Sequence, residues 1–269
     1  MLNARELVGT HDVLFITLDT LRYDVAVRTL EEGRTPNLAA HLPYGGWEMR
    51  HSPGNFTFPA HQAFFAGFLP TPVTPGPHPR LFALRFPASE TITPRTYVFD
   101  APNIVAGLAG LGYHTVCIGG VTFFDQRSPL GSVLPGLFAE SHWEPGFASS
   151  EPRSTENQVA RACQIIARMP RERRLFLFIN VSAIHQPTWF YLPGARQDSL
   201  ASHAAALAYV DSCLPPLFEA LQRRAPCLAI VCSDHGTAFG EGGYKGHRVS
   251  HPVVWTVPYA EFILPYRPV

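Results

Sequence analysis

HDVLFITLDTLRYD, residues 11–24, decides the fold: eight residues of near-continuous apolar character, His11 to Leu18, stop at the carboxylate of Asp19. A short run that is apolar on both faces reads as a strand covered on both sides, the mark of a parallel sheet. HTVCIGG (114–120), RLFLFINV (174–181), CLAIVC (227–232) and YAEFIL (259–264) have the same character. Between them lie helical patterns: APNIVAGLAGLG (101–112) with glycine near its end, STENQVARACQIIARM (154–169) opened by Ser154 or Thr155, and SLASHAAALAYVDSCL (199–214) opened by Asp198 or Ser199. The alternation predicts an α/β chain with right-handed crossovers, a mostly parallel central sheet and helices on both faces, a three-layer sandwich. Pro215 and Pro216 interrupt the helical pattern that runs on to Arg223. An interior proline costs about 3 kcal/mol, so a kink or two helices is expected there. Residues 70–94, rich in proline and without period, read as a long excursion or short irregular hairpin. No repeat or linker divides the chain, so residues 1–269 read as one domain.

Composition agrees and excludes other classes. A chain of 269 residues is about 1.8 times a roughly 150-residue domain, a size that suits one large α/β unit. With 46% hydrophobic and 16% charged residues the chain is not disordered, and no apolar run approaches the roughly 18–20 residues of a membrane span. Lys plus Arg and Asp plus Glu number 21 each and the pI is about 7.2, so nothing recommends nucleic acid or a membrane surface as partner. The first residues, MLNARELVGTHDVLFITLD, lack a basic region followed by an apolar core and a cleavage site, and a cytoplasmic location is expected. Five cysteines without CxxC spacing suit buried free thiols in a reducing compartment.

The chemistry gathers at three places. In an open α/β sheet, ligands bind beyond the carboxyl ends of the strands, so polar residues placed there carry a functional reading. Asp19 follows the first strand; Thr57, in NFTFPAHQAFFAG, stands at the start of an apolar helix; Asp234 and His235 close the strand 227–232, with His247 further along the glycine-rich loop. Alone, Asp19 reads as a cap of the following helix and Thr57 as an N-cap hydroxyl. Together, two carboxylates and an imidazole suit Mn²⁺ or Zn²⁺ better than Mg²⁺ or Ca²⁺. A threonine hydroxyl gains nucleophilicity on a divalent cation, and a helix N-terminus offers N–H groups to an oxyanion.

DVLFITLDTLRYD, TPNLAAHL (35–42), SPGNFTFPAHQAFFAGFLP (52–70), FLFINVSAIHQP (176–187) and SDHGTAFGEGGYKGH (233–247), followed by VPYAEFIL (257–264), resemble the successive blocks of the sulfatase branch of the alkaline phosphatase superfamily. The likeness runs over roughly residues 12–265. It implies an alkaline phosphatase-like fold and one divalent metal held by Asp19, Thr57, Asp234 and His235. It also implies that Thr57 attacks phosphorus or sulfur and carries the transferred group. Three departures refine it. Thr57-Phe58-Pro59-Ala60-His61 replaces the C/S-x-P-x-R motif that matures to formylglycine, which disfavours sulfate ester hydrolysis by that route. Residues 175–197 contain no carboxylate, which argues against a complete second metal site of the kind the two-metal branches build near His185. The chain stops soon after YAEFIL, so the family's smaller C-terminal domain is expected to be absent.

His185 and His247 are therefore assigned to binding the substrate's oxyanion or protonating the leaving group. His61 either touches substrate or holds the Thr57 turn, and Lys245 is a candidate substrate contact. Asp24, after Arg22, reads as a cap or internal ion pair. The function implied is a metal-dependent hydrolase of phosphate or phosphonate esters acting on a small-molecule substrate through covalent Thr57. A phospho-group transferase, a sulfuric ester hydrolase and a non-catalytic relative that binds a phosphorylated ligand are the alternatives.

Overall fold

The computed structural model describes residues 2–67 and 103–268, together with the backbone of a short strand pair, Phe82–Ala83 with Tyr97–Val98. The excursion expected over residues 70–94 otherwise lies outside the described residues.

The apolar run ending at Asp19 is strand β1, Asp12–Leu18, followed by helix α1, Tyr23–Glu31. Strand β2, Glu48–His51, leads to helix α2, Thr57–Ala66. Then come α3, Ile104–Gly110; β3, His114–Ile118; β4, Glu140–His142; α4, Ser154–Arg168; and β5, Leu175–Val181. The last elements are α5, Leu200–Cys213; α6, Pro215–Arg224; β6, Cys227–Cys232; and β7, Thr256–Leu264. The seven strands form one sheet in the order β2-β7-β6-β1-β5-β3-β4. β6, β1, β5, β3 and β4 run parallel, and β7 is antiparallel to both β6 and β2. The expected fold class, an α/β chain with a mostly parallel sheet, is what the chain adopts.

Both sides of the sheet are covered. Leu14, Ile16 and Leu18 of β1 pack with Leu177 and Ile179 into one apolar cluster with α4, α5 and α6, while Val13 packs with Phe176, Phe178, Phe65 and Leu108 into a second. Alternate residues of one strand thus face opposite layers. Phe178 is fully buried, and removing such a side chain from water is worth about 1.5–3 kcal/mol.

Helix ends follow local chemistry. Ser199 caps α5 through a capping box with Ser202, and Asn103 caps α3 by accepting from the Ala106 amide. Neither Ser154 nor Thr155 caps α4; Arg153 holds that position and Ser154 lies inside the helix. The proline pair does split the long pattern: α5 ends at Cys213 and Pro215 opens α6, where a missing N–H costs nothing. Gly54 lets the chain pass tightly under α2, because a Cβ there would lie 2.5 Å from the Ala60 amide nitrogen.

Candidate active site

The carboxyl ends of β1 and β6, the two strands paired at the sheet's centre, bring Asp19 and Asp234 to one point. Thr20, with φ of 66°, turns the chain sharply after Asp19 and aims its amide at Asp234 Oδ1, 3.2 Å away. A non-glycine residue in that region is uncommon, and here it donates to a buried carboxylate. The His235 amide gives Asp234 Oδ1 a second bond at 3.0 Å.

Thr57 completes the cluster from the other layer. Phe56, not Thr57, occupies the N-cap position of α2, so the Thr57 hydroxyl is released from capping. Its O–H reaches Asp19 Oδ2 at 3.4 Å, and its Oγ lies 3.3 Å from His235 Nε2. His235 Nδ1 is 2.9 Å from the Gly236 carbonyl, which can only accept, so Nδ1 carries the proton and Nε2 presents a lone pair. That nitrogen lies 3.5 Å from Asp234 Oδ2 and 3.9 Å from Asp19 Oδ1.

Among the described residues those two buried carboxylate oxygens have no hydrogen-bond partner. Burial, with Asp234 nearby, pushes the Asp19 carboxyl up from 3.8 to about 6, and burial pushes Asp234 up to about 7. Burial lowers His235. Donor atoms of Asp19, Asp234 and His235 all lie within 4.8 Å of one another. Orphaned oxygens and an imidazole lone pair converging on one point could hold a divalent cation, which would offset the charge that burial penalises.

Asn180, at the end of β5, was not singled out from the sequence. Its Nδ2 donates to Asp19 Oδ2 at 3.1 Å and to Thr17 Oγ1 at 3.3 Å, and its Oδ1 accepts from the Val121 amide at 3.1 Å. A single side chain thus orients the Asp19 carboxylate and anchors the segment after β3. The signal was available: an amide inside an otherwise apolar run needs a buried polar partner.

The other candidates fall in three places. His185 and His247 line the same cleft as Thr57, with ring centroids 5.5 Å apart, and His247 lies 4.8 Å from His235. Burial and the two neighbouring imidazoles lower His247 to about 3. His185 Nδ1 donates to the Gln186 carbonyl at 2.7 Å, leaving Nε2 for a ligand. His61 is fully buried beneath Thr57: its Nδ1 donates to the Thr57 carbonyl at 2.7 Å and its Nε2 accepts from Thr17 Oγ1 at 3.0 Å. The substrate contact offered for His61 is therefore corrected to the supporting role, since both ring nitrogens are used inside the fold. Lys245 is exposed on a small hairpin, Ala238–Phe239 with Lys245–Gly246, and is not part of the cleft wall; Arg248 is. Arg22 forks onto Asp24 at 2.8 and 2.6 Å and pairs with Glu241, which ties that hairpin to the β1–α1 turn and makes Asp24 an ion-pair partner.

The model of the sulfatase family matches residues 11–256. No curated protein matches the chain significantly. Among solved structures, the chain is similar to the C-terminal periplasmic domain of phosphoethanolamine transferase EptC from Campylobacter jejuni, at 14% identity and a TM-score of 0.63, covering 97% of this chain and 81% of that one. The corresponding EptC domain from Escherichia coli, solved in complex with Zn, gives 12% identity and a TM-score of 0.66 over 95% and 74% of the two chains. The lipoteichoic acid synthase LtaP from Listeria monocytogenes gives 13% and 0.63 over 96% and 66%. At these identities the likeness speaks for the fold.

Proposed function

The chain belongs to the sulfatase family, and from that premise we propose that it is a metal-dependent phospho-group enzyme whose nucleophile is Thr57, with water as acceptor. The observation that carries this reading is the Thr57 hydroxyl itself, freed from capping and set 3.3–3.4 Å from His235 and Asp19 at the floor of a cleft of about 730 Å³. Asp19, Thr57, Asp234 and His235 would hold one divalent ion, Zn²⁺ or Mn²⁺, which when bound lowers the pKa of the threonine hydroxyl and neutralises developing charge.

The residues of the chain then divide the work. Thr57 Oγ, its hydroxyl proton released to solvent when the ion is taken up, attacks phosphorus and the bond to the leaving oxygen breaks, so the phospho group passes to Thr57. The first backbone N–H groups of α2 and a His247 N–H donate to the phosphoryl oxygens; burial keeps His247 neutral. His185, with Nδ1 tied to Gln186, offers only Nε2, and from the imidazolium it protonates the departing oxygen. Water next attacks phosphorus, His185 takes its proton, and the Thr57–phosphorus bond breaks. Because threonine cannot become formylglycine, sulfate ester hydrolysis by that route is set aside.

A second reading replaces water by an alcohol. It is favoured by the fold likeness to a phosphoethanolamine transferase domain and a lipoteichoic acid synthase. The test is turnover of p-nitrophenyl phosphate, bis-p-nitrophenyl phosphate and phenylphosphonate esters by Zn²⁺- or Mn²⁺-loaded protein, with and without glycerol as acceptor. Turnover lost in both Thr57→Ala and Asp234→Ala is expected. A rate that rises with glycerol, with glycerol phosphate as product, moves the reading to a transferase; turnover retained by Thr57→Ala overturns both.

A further inference from the structure

The cleft is larger than a phospho group requires. Its volume of about 730 Å³ lies in the roughly 300–1,000 Å³ range of sites that enclose a whole small molecule. Beyond Thr57, His185 and His247 its wall continues through Val121 and Phe123 to Arg127 and Trp143. The Trp143 indole is fixed there by donating to the Gly120 carbonyl at 3.0 Å. Gly120 itself is tightly seated, since a Cβ would meet the Asn180 carbonyl oxygen at 2.4 Å.

Charge along the wall is uneven. Among the described residues, the ionised side chains lining the cleft are Arg127, Arg248 and Asp125. Each guanidinium lies over an aromatic ring, Arg127 over Trp143 at 5.8 Å and Arg248 over Phe56 at 5.4 Å. Neither makes an ion pair among the described residues. Asp125 does not neutralise its neighbour: its Oδ1 accepts from the Arg127 amide at 2.9 Å and packs against Gly131. Stacking leaves the planar fork of an arginine free to bind an oxyanion edge-on. Arg248 stands at the reacting end, since Phe56 precedes Thr57 and the Arg248 amide bonds the Asn55 carbonyl at 2.8 Å. Arg127 stands on the separate wall built after β3.

We propose that Arg127 and Trp143 form a second oxyanion subsite, so that the substrate carries, besides the phospho group attacked by Thr57, another anionic group, carboxylate or phosphate, joined to it through a flat or apolar portion. This rests on the phospho-group reading above and narrows it to a substrate class. Phe123 and Trp143 supply the apolar wall for the connecting portion.

Three esters differing only at the far end of one ring make the test: phenyl phosphate, 4-carboxyphenyl phosphate and 4-(aminomethyl)phenyl phosphate. Comparing each ester between wild type and Arg127→Gln cancels its intrinsic reactivity. The substitution is expected to lower kcat/KM for the carboxylate ester roughly tenfold, the loss of about one charge-assisted hydrogen bond. It should leave phenyl phosphate unchanged and raise the aminomethyl ester. A parallel calorimetric titration of 4-carboxyphenyl phosphate and phenyl phosphate into Zn²⁺-loaded Thr57→Ala, with and without Arg127→Gln, reads the subsite without turnover. Tighter, Arg127-dependent binding of the carboxylate ester sustains the subsite even where no ester is turned over, an outcome that removes the enzyme reading alone. Turnover whose ester preferences are identical in wild type and Arg127→Gln overturns the subsite while leaving the enzyme standing. A preference for the aminomethyl ester assigns the far end to Asp125 and a cation, and also overturns it.

Discussion

Asn180→Ala should weaken metal binding without touching any proposed ligand. The wild-type amide gives Asp19 Oδ2 a bond of 3.1 Å, and Asp19 is fully buried with its other oxygen unpartnered among the described residues. A hydrogen bond to an ionised group is worth about 1.5–3 kcal/mol. Since about 1.4 kcal/mol is tenfold, Zn²⁺ affinity should fall about 10–100-fold, the usual range for a group that orients a metal ligand. The substitution also frees the Val121 amide and removes one of the two hydrogen bonds of Thr17 Oγ1, which should cost about 1–3 kcal/mol of stability, or roughly 2–4 °C of Tm per kcal/mol in a chain of this size. The assay is competition for Zn²⁺ against a chromophoric chelator, with Tm of the metal-free proteins measured beside it. A Zn²⁺ affinity within twofold of wild type, alongside the expected drop in Tm, would refute the reasoning: Asn180 would then brace the sheet and have no hold on Asp19.

Other expectations follow from the same geometry. Burial raises Asp19 to about 6 and Asp234 to about 7 from an ordinary 3.8, so in the metal-free protein these groups oppose folding when ionised. Metal-free Asp234→Asn should therefore melt above metal-free wild type near pH 8, with the excess shrinking as pH falls toward about 5, a difference from which the common contribution of the buried histidines cancels; added Zn²⁺ should raise the wild-type Tm more at the upper end, where it displaces fewer protons, and thermal melts across that range check both. Glu241 is held at about 2, below its ordinary 4.5, and its tie to Arg22 is present above the ordinary value and lost as pH falls toward 2. The stability gap between wild type and Glu241→Gln should accordingly close on acidification between those limits, as read by urea melts. Gly54→Ala puts a methyl 2.5 Å from the Ala60 nitrogen, displacing the start of α2. It should cost about 1–3 kcal/mol by overpacking and depress turnover together with Tm, whereas His61→Gln, which can keep one of the two bonds beneath Thr57, should lower turnover less than His61→Ala.

Central strands and their terminal acids were legible because burial leaves a strong trace. β1 is apolar from Val13 to Leu18 but for Thr17 and β6 is apolar throughout, and a carboxylate one or two residues after such a run needs a partner, which is why Asp19 and Asp234 stood out. Edge strands left no such trace. β2 is EMRH and largely exposed, and β4 is ESH; both join through backbone pairing that ignores side-chain character. The run at 259–264 looked like its parallel neighbours, yet its direction is set by the connection from β6, which holds no crossover helix longer than Pro252–Trp255. His61 could not be resolved by spacing, since one turn of helix lets it face either the cleft or the fold beneath Thr57. Arg127 was invisible for a tertiary reason: what makes it part of a site is the ring of Trp143, brought beside it from the other end of β4.

The central claim is that Thr57 carries the transferred group. Zn²⁺-loaded protein mixed with a phosphate ester, quenched in acid within a turnover and analysed by intact-mass and fragment mass spectrometry, tests it directly. The account predicts a mass increase of one phospho group confined to Thr57 and absent from Thr57→Ala. Steady turnover with no adduct at Thr57, or the adduct on another residue, would contradict it.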